Sequence, residues 1–130
     1  MFLIYKPGDG EEQEWWFDPQ DMRVKEAEAV EKRTGWDWTE YFIHLLAGSV
    51  LARRALLWTF QRRIHPTLRF EDVDFAMSEL TLEYDQAELQ RLRDKTAEQD
   101  GVTAEQLAQL DEQVTQARPG LGKAPASSGG

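Results

Sequence analysis

Residues 34–66 constrain the fold of this chain more than any other stretch: T-G-W-D-W-T-E-Y-F-I-H-L-L-A-G-S-V-L-A-R-R-A-L-L-W-T-F-Q-R-R-I-H-P. The stretch holds three of the five tryptophans, both histidines and four closely spaced arginines, with no acidic residue after Glu40. Trp38, Tyr41, Phe42, Leu45 and Leu46 recur at the i, i+3, i+4, i+7, i+8 spacing of one buried helix face. Asp37 followed by Glu40 is a capping box that starts this helix. Gly48-Ser49 marks a corner or kink. A second helix then runs to Ile64, and His65-Pro66 stops it because the residue before a proline is pushed out of the helical region. On that helix Val50, Leu56, Leu57, Phe60 and Ile64 share one side, while Leu51, Ala55 and Trp58 lie opposite. Arg53, Arg54, Arg62 and Arg63 are spread around its circumference. Two apolar sides require two packing neighbours, which puts this helix at the centre of a small helical domain.

The flanks fill in around that centre. Residues 1–6 and 14–17 are aromatic and branched, and Pro7-Gly8-Asp9-Gly10 between them is a turn signal, so the chain starts with a β-hairpin. A hairpin is marginal alone and must pack on the helices. A helix is expected over residues 19–34, capped by Asp18 or Asp21 and stopped at Gly35. Its apolar stripe of Met22, Ala29 and Val30 is narrow. After the arginine-rich region the charge reverses: residues 71–90 carry seven acids and no lysine or arginine. Within them Val73, Met77, Leu80 and Tyr84 have helical spacing, while Leu80, Leu82 and Tyr84 alternate like a strand. A short helix from Asp72 is favoured, with strand against helix for residues 78–84 left open. Polar helices are expected over 85–99 and from Thr103 to about 117, where Thr103 and Gln106 resemble a capping box. The fold class is therefore mainly α: a small helical bundle with a short N-terminal β-hairpin and a flexible C-terminal tail. The expected organisation is a helical domain with its hairpin over 1–95, a polar helical extension over 96–117 and a disordered tail over 118–130.

Composition narrows function by exclusion. The 130 residues have a formal net charge of -9, which disfavours nucleic-acid and anionic membrane partners and favours protein partners. No cysteine is present, so disulfides, thiolate metal sites and a cysteine nucleophile are excluded. No apolar run reaches the length of a membrane helix. Phosphate-binding loops, dinucleotide glycine patterns, H-E-x-x-H and G-x-S-x-G elbows are all missing. The chain is accordingly read as non-enzymatic, with no catalytic, cofactor-binding or metal-ligating residue. His44 falls on the polar side of its helix and reads as a surface or structural histidine. Glu71-Asp72-x-Asp74 reads as a solvated helix start rather than a cation site. The arginines are assigned to the acidic 71–90 run or to a protein partner. Most tryptophans are read as core. Trp15-Trp16 is the exception, because adjacent strand residues point to opposite faces and one must look outward. The candidate partner-binding residues are Trp15, Trp16, Leu51, Arg54, Trp58 and Arg62. Should residues 71–90 cover one side of the central helix, that surface shifts toward Trp15-Trp16.

The order E-A-E-A-V-E-K-R-T-G-W-D-W (26–38), L-L-A-G-S-V-L-A-R-R-A-L-L-W (45–58), R-R-I-H-P (62–66) and F-E-D-V-D-F (70–75) resembles the tail assembly chaperones of long-tailed, siphovirus-type bacteriophages, in particular those infecting actinobacteria. The resemblance covers residues 15–83 and is a pattern of spaced residues rather than a catalytic signature. It implies a protein that coats the tape-measure protein in the host cytoplasm, keeps it soluble, helps recruit major tail subunits and is missing from the mature virion. It also implies a longer form made by programmed ribosomal frameshifting. Leu121-Gly122-Lys123 is where slippage would fall, since a Gly-Lys pair can be encoded by a slippery GGN-AAR run. Self-association is left open. Two other readings are a structural head–tail or tail-completion protein, and an acidic DNA mimic that inhibits a host enzyme.

Overall fold

The computed structural model describes residues 1–120. In chain order it contains β1 (Phe2–Tyr5), β2 (Gln13–Trp16), α1 (Val24–Thr34), α2 (Trp38–Leu46), α3 (Val50–Ile64), 3-10 turns at Phe70–Asp72 and Met77–Glu79, β3 (Leu80–Glu83), α4 (Gln86–Ala97) and α5 (Ala104–Gln116). The expected mainly helical class with an N-terminal hairpin is observed, and a third strand extends the hairpin to an antiparallel sheet of order β2-β1-β3. The flexible tail expected at the C-terminus lies, from residue 121 on, outside the described residues.

Two compact units divide the chain: Leu3–Thr81, and Met1–Phe2 together with the chain from Leu82 on. The expected boundary at residue 95 instead falls inside α4.

Leu3–Thr81 is built around α3. Ala52 and all six residues from Ala55 to Phe60 are buried, so the middle of this helix is enclosed on every side, as its two apolar faces require. Helices α1 and α2 both pack on it. The sheet covers it too: Trp15 of β2 stacks on Phe60 at 5.6 Å, and Phe17 meets Phe60 edge-on at 6.2 Å. Tyr41 is fully buried on α2, and its hydroxyl donates to the Ala52 carbonyl at 2.7 Å. Burial pushes its phenol far above the ordinary range. That bond satisfies the one polar atom of a ring otherwise placed for its apolar area.

Local signals set the helix boundaries. Asp37 accepts from the Glu40 N–H at 2.8 Å and starts α2. Gly48, at φ 91, turns the corner, and the Ser49 hydroxyl accepts from Ala52 N–H at 3.2 Å to start α3. Gly35, at φ 78, ends α1 in a conformation that costs a residue with a Cβ.

Four expectations are corrected. Helix α1 starts at Val24, not residue 19. The Asp18 carboxylate accepts from the Gln20 N–H at 2.9 Å, a local turn that competes with helix, while the Trp38 indole N–H holds the Pro19 carbonyl at 3.2 Å. Glu26 rather than Asp18 or Asp21 caps the helix, accepting from the Arg23 N–H at 3.2 Å. Residues 72–84 do not form a helix: two 3-10 turns lead into β3, whose entry is fixed by Lys6 N–H donating to the Glu79 carbonyl at 2.8 Å. Leu46, expected on the buried face of α2, is exposed because it is the last residue of the helix, at the corner.

The second unit is an antiparallel-type helical hairpin of α4 and α5. Asp85 and Glu88 cap α4 reciprocally at 2.9 Å in each direction, and Thr103 and Gln106 do the same for α5 at 3.1 and 3.0 Å. Gly101, at φ 81, makes the turn between them. The Met1 ammonium lies 3.3 Å from Asp85 and 3.0 Å from Glu88. Burial raises the Glu88 carboxyl above its ordinary value. Burial would also raise Asp85, but the Glu88 hydrogen bonds and the ammonium outweigh it and hold Asp85 low. Residue 118, expected to begin a disordered tail, is fixed instead: the Arg118 carbonyl accepts from Gln86 N–H at 2.8 Å and its guanidinium lies 3.6 Å from the Phe2 ring centre.

Candidate partner-binding surface

Leu51, Arg54, Trp58 and Arg62 lie on one face of α3 at helical spacing, as the sequence requires. The segment after the helix covers most of that face. The Trp58 indole N–H donates to the Leu68 carbonyl at 3.1 Å, and its ring meets Phe70 edge-on at 5.5 Å. Arg54 donates to the Phe70 carbonyl at 3.0 Å and lies 4.4 Å from the centre of that ring. Trp58 is only 4% exposed, which removes it from the candidate surface. Arg62 remains half-exposed, its guanidinium 4.5 Å from the Trp58 ring centre. Trp15 and Trp16 are both half-buried, and the stack on Phe60 commits Trp15 to the core side of β2. The set of six therefore does not form one surface.

The arginines find different partners from those expected. Arg63 forms a two-point pair with Glu26 of α1, at 2.7 and 2.8 Å, and its hydrogen bond holds the Glu26 carboxyl below the ordinary range. From the acidic run, Glu71 pairs with Arg33 of α1 at 3.1 Å and Asp72 with Arg69 at 3.1 Å. Both of those pairs are exposed and contribute little to stability. The covering of α3 comes from Leu68 and Phe70, upstream of the acidic run. His44 stacks on Trp36 with ring centres 3.8 Å apart.

Val24, Ile64 and Met77 are exposed singly, and a group of uncovered apolar residues lies at the corner between α2 and α3. Ile43 is 62% exposed, Leu46 43%, Val50 52% and Leu51 36%. Tyr41 and Leu45 define the buried side of α2, and Ile43 lies on the other side of the same helix. Single exposed apolar residues need no explanation, but four within nine residues around one corner form a concentration that marks contact surfaces. Of the four, sequence reasoning singled out Leu51. The signal for Ile43 was available: it breaks the polar side of an otherwise amphipathic helix. Leu46 and Val50 were assigned to buried sides, because helical periodicity alone does not tell where a neighbouring element ends.

Among the described residues no group of three or more His, Asp or Glu is placed to hold a metal ion, and no helix is long and apolar enough to cross a membrane. No protein-family model, curated protein or solved structure matches the chain.

Proposed function

We propose that this chain is a non-enzymatic assembly chaperone of a bacteriophage tail, which binds the tape-measure protein and keeps it soluble in the host cytoplasm until assembly. The observation that carries the reading is the exposed apolar corner of Ile43, Leu46, Val50 and Leu51 on the helical core. A long, apolar, helical client needs such a contact at many points along its length. Helix-in-groove packing supplies it without ATP. The net charge of -9 keeps the resulting complexes apart from each other. The sequence resemblance over residues 15–83 suggests the client class. The major tail protein is a second partner on the same reading, and the chaperone leaves before the virion is complete. A longer frameshifted form would diverge near Gly122-Lys123, outside the described residues.

The test is co-expression with the tape-measure protein of the same phage. The soluble fraction of that protein is expected to rise, with the two proteins co-purifying. Unchanged solubility with no co-purification would overturn the proposal. Mass spectrometry of purified virions distinguishes the alternative of a structural tail component, which would be present where a chaperone is not.

A further inference from the structure

In this acidic protein a group of positive charges lines a cleft between the start of α1 and the end of α3. Its walls are Lys25, Glu26, Ala29, Thr59, Arg62, Arg63 and Pro66, around a space of about 170 Å³. Three cations face one carboxylate there, so the lining is net positive by two charges in a chain whose total is -9.

The three cations are not equivalent. Arg63 is committed through Nε and Nη2 to the two oxygens of Glu26, which neutralises that carboxylate and leaves the Nη1 hydrogens free. Arg62 has no carboxylate partner among the described residues. Its guanidinium plane lies over Trp58 at 4.5 Å, which fixes the group and leaves its edge, where the N–H donors are, unused. Lys25 is exposed and has no ion-pair partner among the described residues. Thr59 closes the wall, but its hydroxyl hydrogen is spent on the Ala55 carbonyl at 2.8 Å, so it offers no donor. Ala29 and Pro66 add apolar walls, and partial exclusion of water strengthens what the charges do.

We infer that this cleft binds a small oxyanion, a single phosphate or carboxylate group, held between Lys25 and the donor edges of Arg62 and Arg63. The space is well below the roughly 300 Å³ at which ligand pockets for larger molecules begin, so the cleft itself is sized for one small group. A fixed guanidinium fork plus a mobile ammonium is the donor set that suits either group. The shared chemistry can come from free phosphate or from an aspartate or glutamate side chain presented by a protein partner.

The experiment uses the full chain labelled with ¹⁵N and titrated with inorganic phosphate, and separately with N-acetyl-glutamate amide, at constant ionic strength kept with sodium chloride. Saturable shifts of the Arg62 and Arg63 Nε–H signals and of the α1 first-turn amides are expected with one or both ligands, and the tighter of the two identifies the source. Lys25→Gln, at an exposed position, is expected to weaken binding about tenfold with no change in helicity. Arg62→Gln is expected to abolish it, and Arg62→Lys to restore part. Shifts that do not saturate with either ligand, or that are unchanged in both Lys25→Gln and Arg62→Gln, would overturn the inference.

Discussion

The two units of this chain use similar sequence signals to opposite ends. In Leu3–Thr81, helix α3 buries seven of its fifteen residues, and aromatic rings from the sheet, α2 and the segment after α3 close around it. In the unit that follows, α4 and α5 have no buried residue at all. Each is nevertheless fully capped, and the hairpin is tied by polar bonds: Arg93 to Asp111 at 2.7 Å, and the Gln86 amide to the Val114 carbonyl at 3.0 Å. Both regions are helical by propensity and capping, but only α3 encloses its middle among neighbouring elements. Capping specifies where a helix starts; burial decides how firmly it is held.

The largest effect is expected from Phe60→Ala, which removes the ring that Trp15 and Phe17 pack against. A loss of about 3–5 kcal/mol by urea denaturation is expected, enough to unfold much of the unit. A loss under about 1 kcal/mol would mean that the sheet does not complete the core. Next is Asp37→Ala, which deletes the carboxylate capping α2. Its expected cost is about 1 kcal/mol. The pair of Glu26 and Arg63 gives a pH signature. The hydrogen bond from Arg63 lowers the folded pKa of Glu26 beneath its ordinary, unfolded value. The pair's contribution is therefore complete above that value and is lost as pH falls through the lower folded one. The gap in melting temperature between wild type and Glu26→Gln should close as the pH is taken from 7 to about 3. The smallest effect is expected from Leu92→Ala on α4, where the side chain is 45% exposed. A change within about 0.5 kcal/mol is expected, against about 2–5 kcal/mol for Leu45→Ala, whose side chain is fully buried.

The sequence-readable part of this fold is the part decided locally. Asp37, Ser49, Thr103 and Gly35 act on backbone groups within four residues of themselves, so their roles follow from spacing alone. Hairpin, corner and the end of α3 at His65 follow in the same way. The third strand does not. Leu80, Leu82 and Tyr84 fit a strand as well as a helix, and the choice is made by pairing with β1, more than seventy residues away in sequence. The partners of the arginines were hidden for a related reason. Charge blocks point Arg62 and Arg63 toward the acidic run, yet chain geometry brings Glu26 and the Trp58 ring to them instead. The candidate surface was legible in kind, as apolar residues on α3, but Trp58 sits under Leu68 and Phe70, and Ile43 on α2 takes its place in the light.

The proposed role of the corner between α2 and α3 in holding the client is tested by a double variant, Ile43→Glu with Leu51→Glu. Both side chains are exposed, so the variant should fold as the wild type does. Co-expressed with the tape-measure protein, the wild type is expected to keep that client in the soluble fraction and the variant to leave it in the pellet. A folded variant that solubilises the client as well as the wild type would contradict the claim.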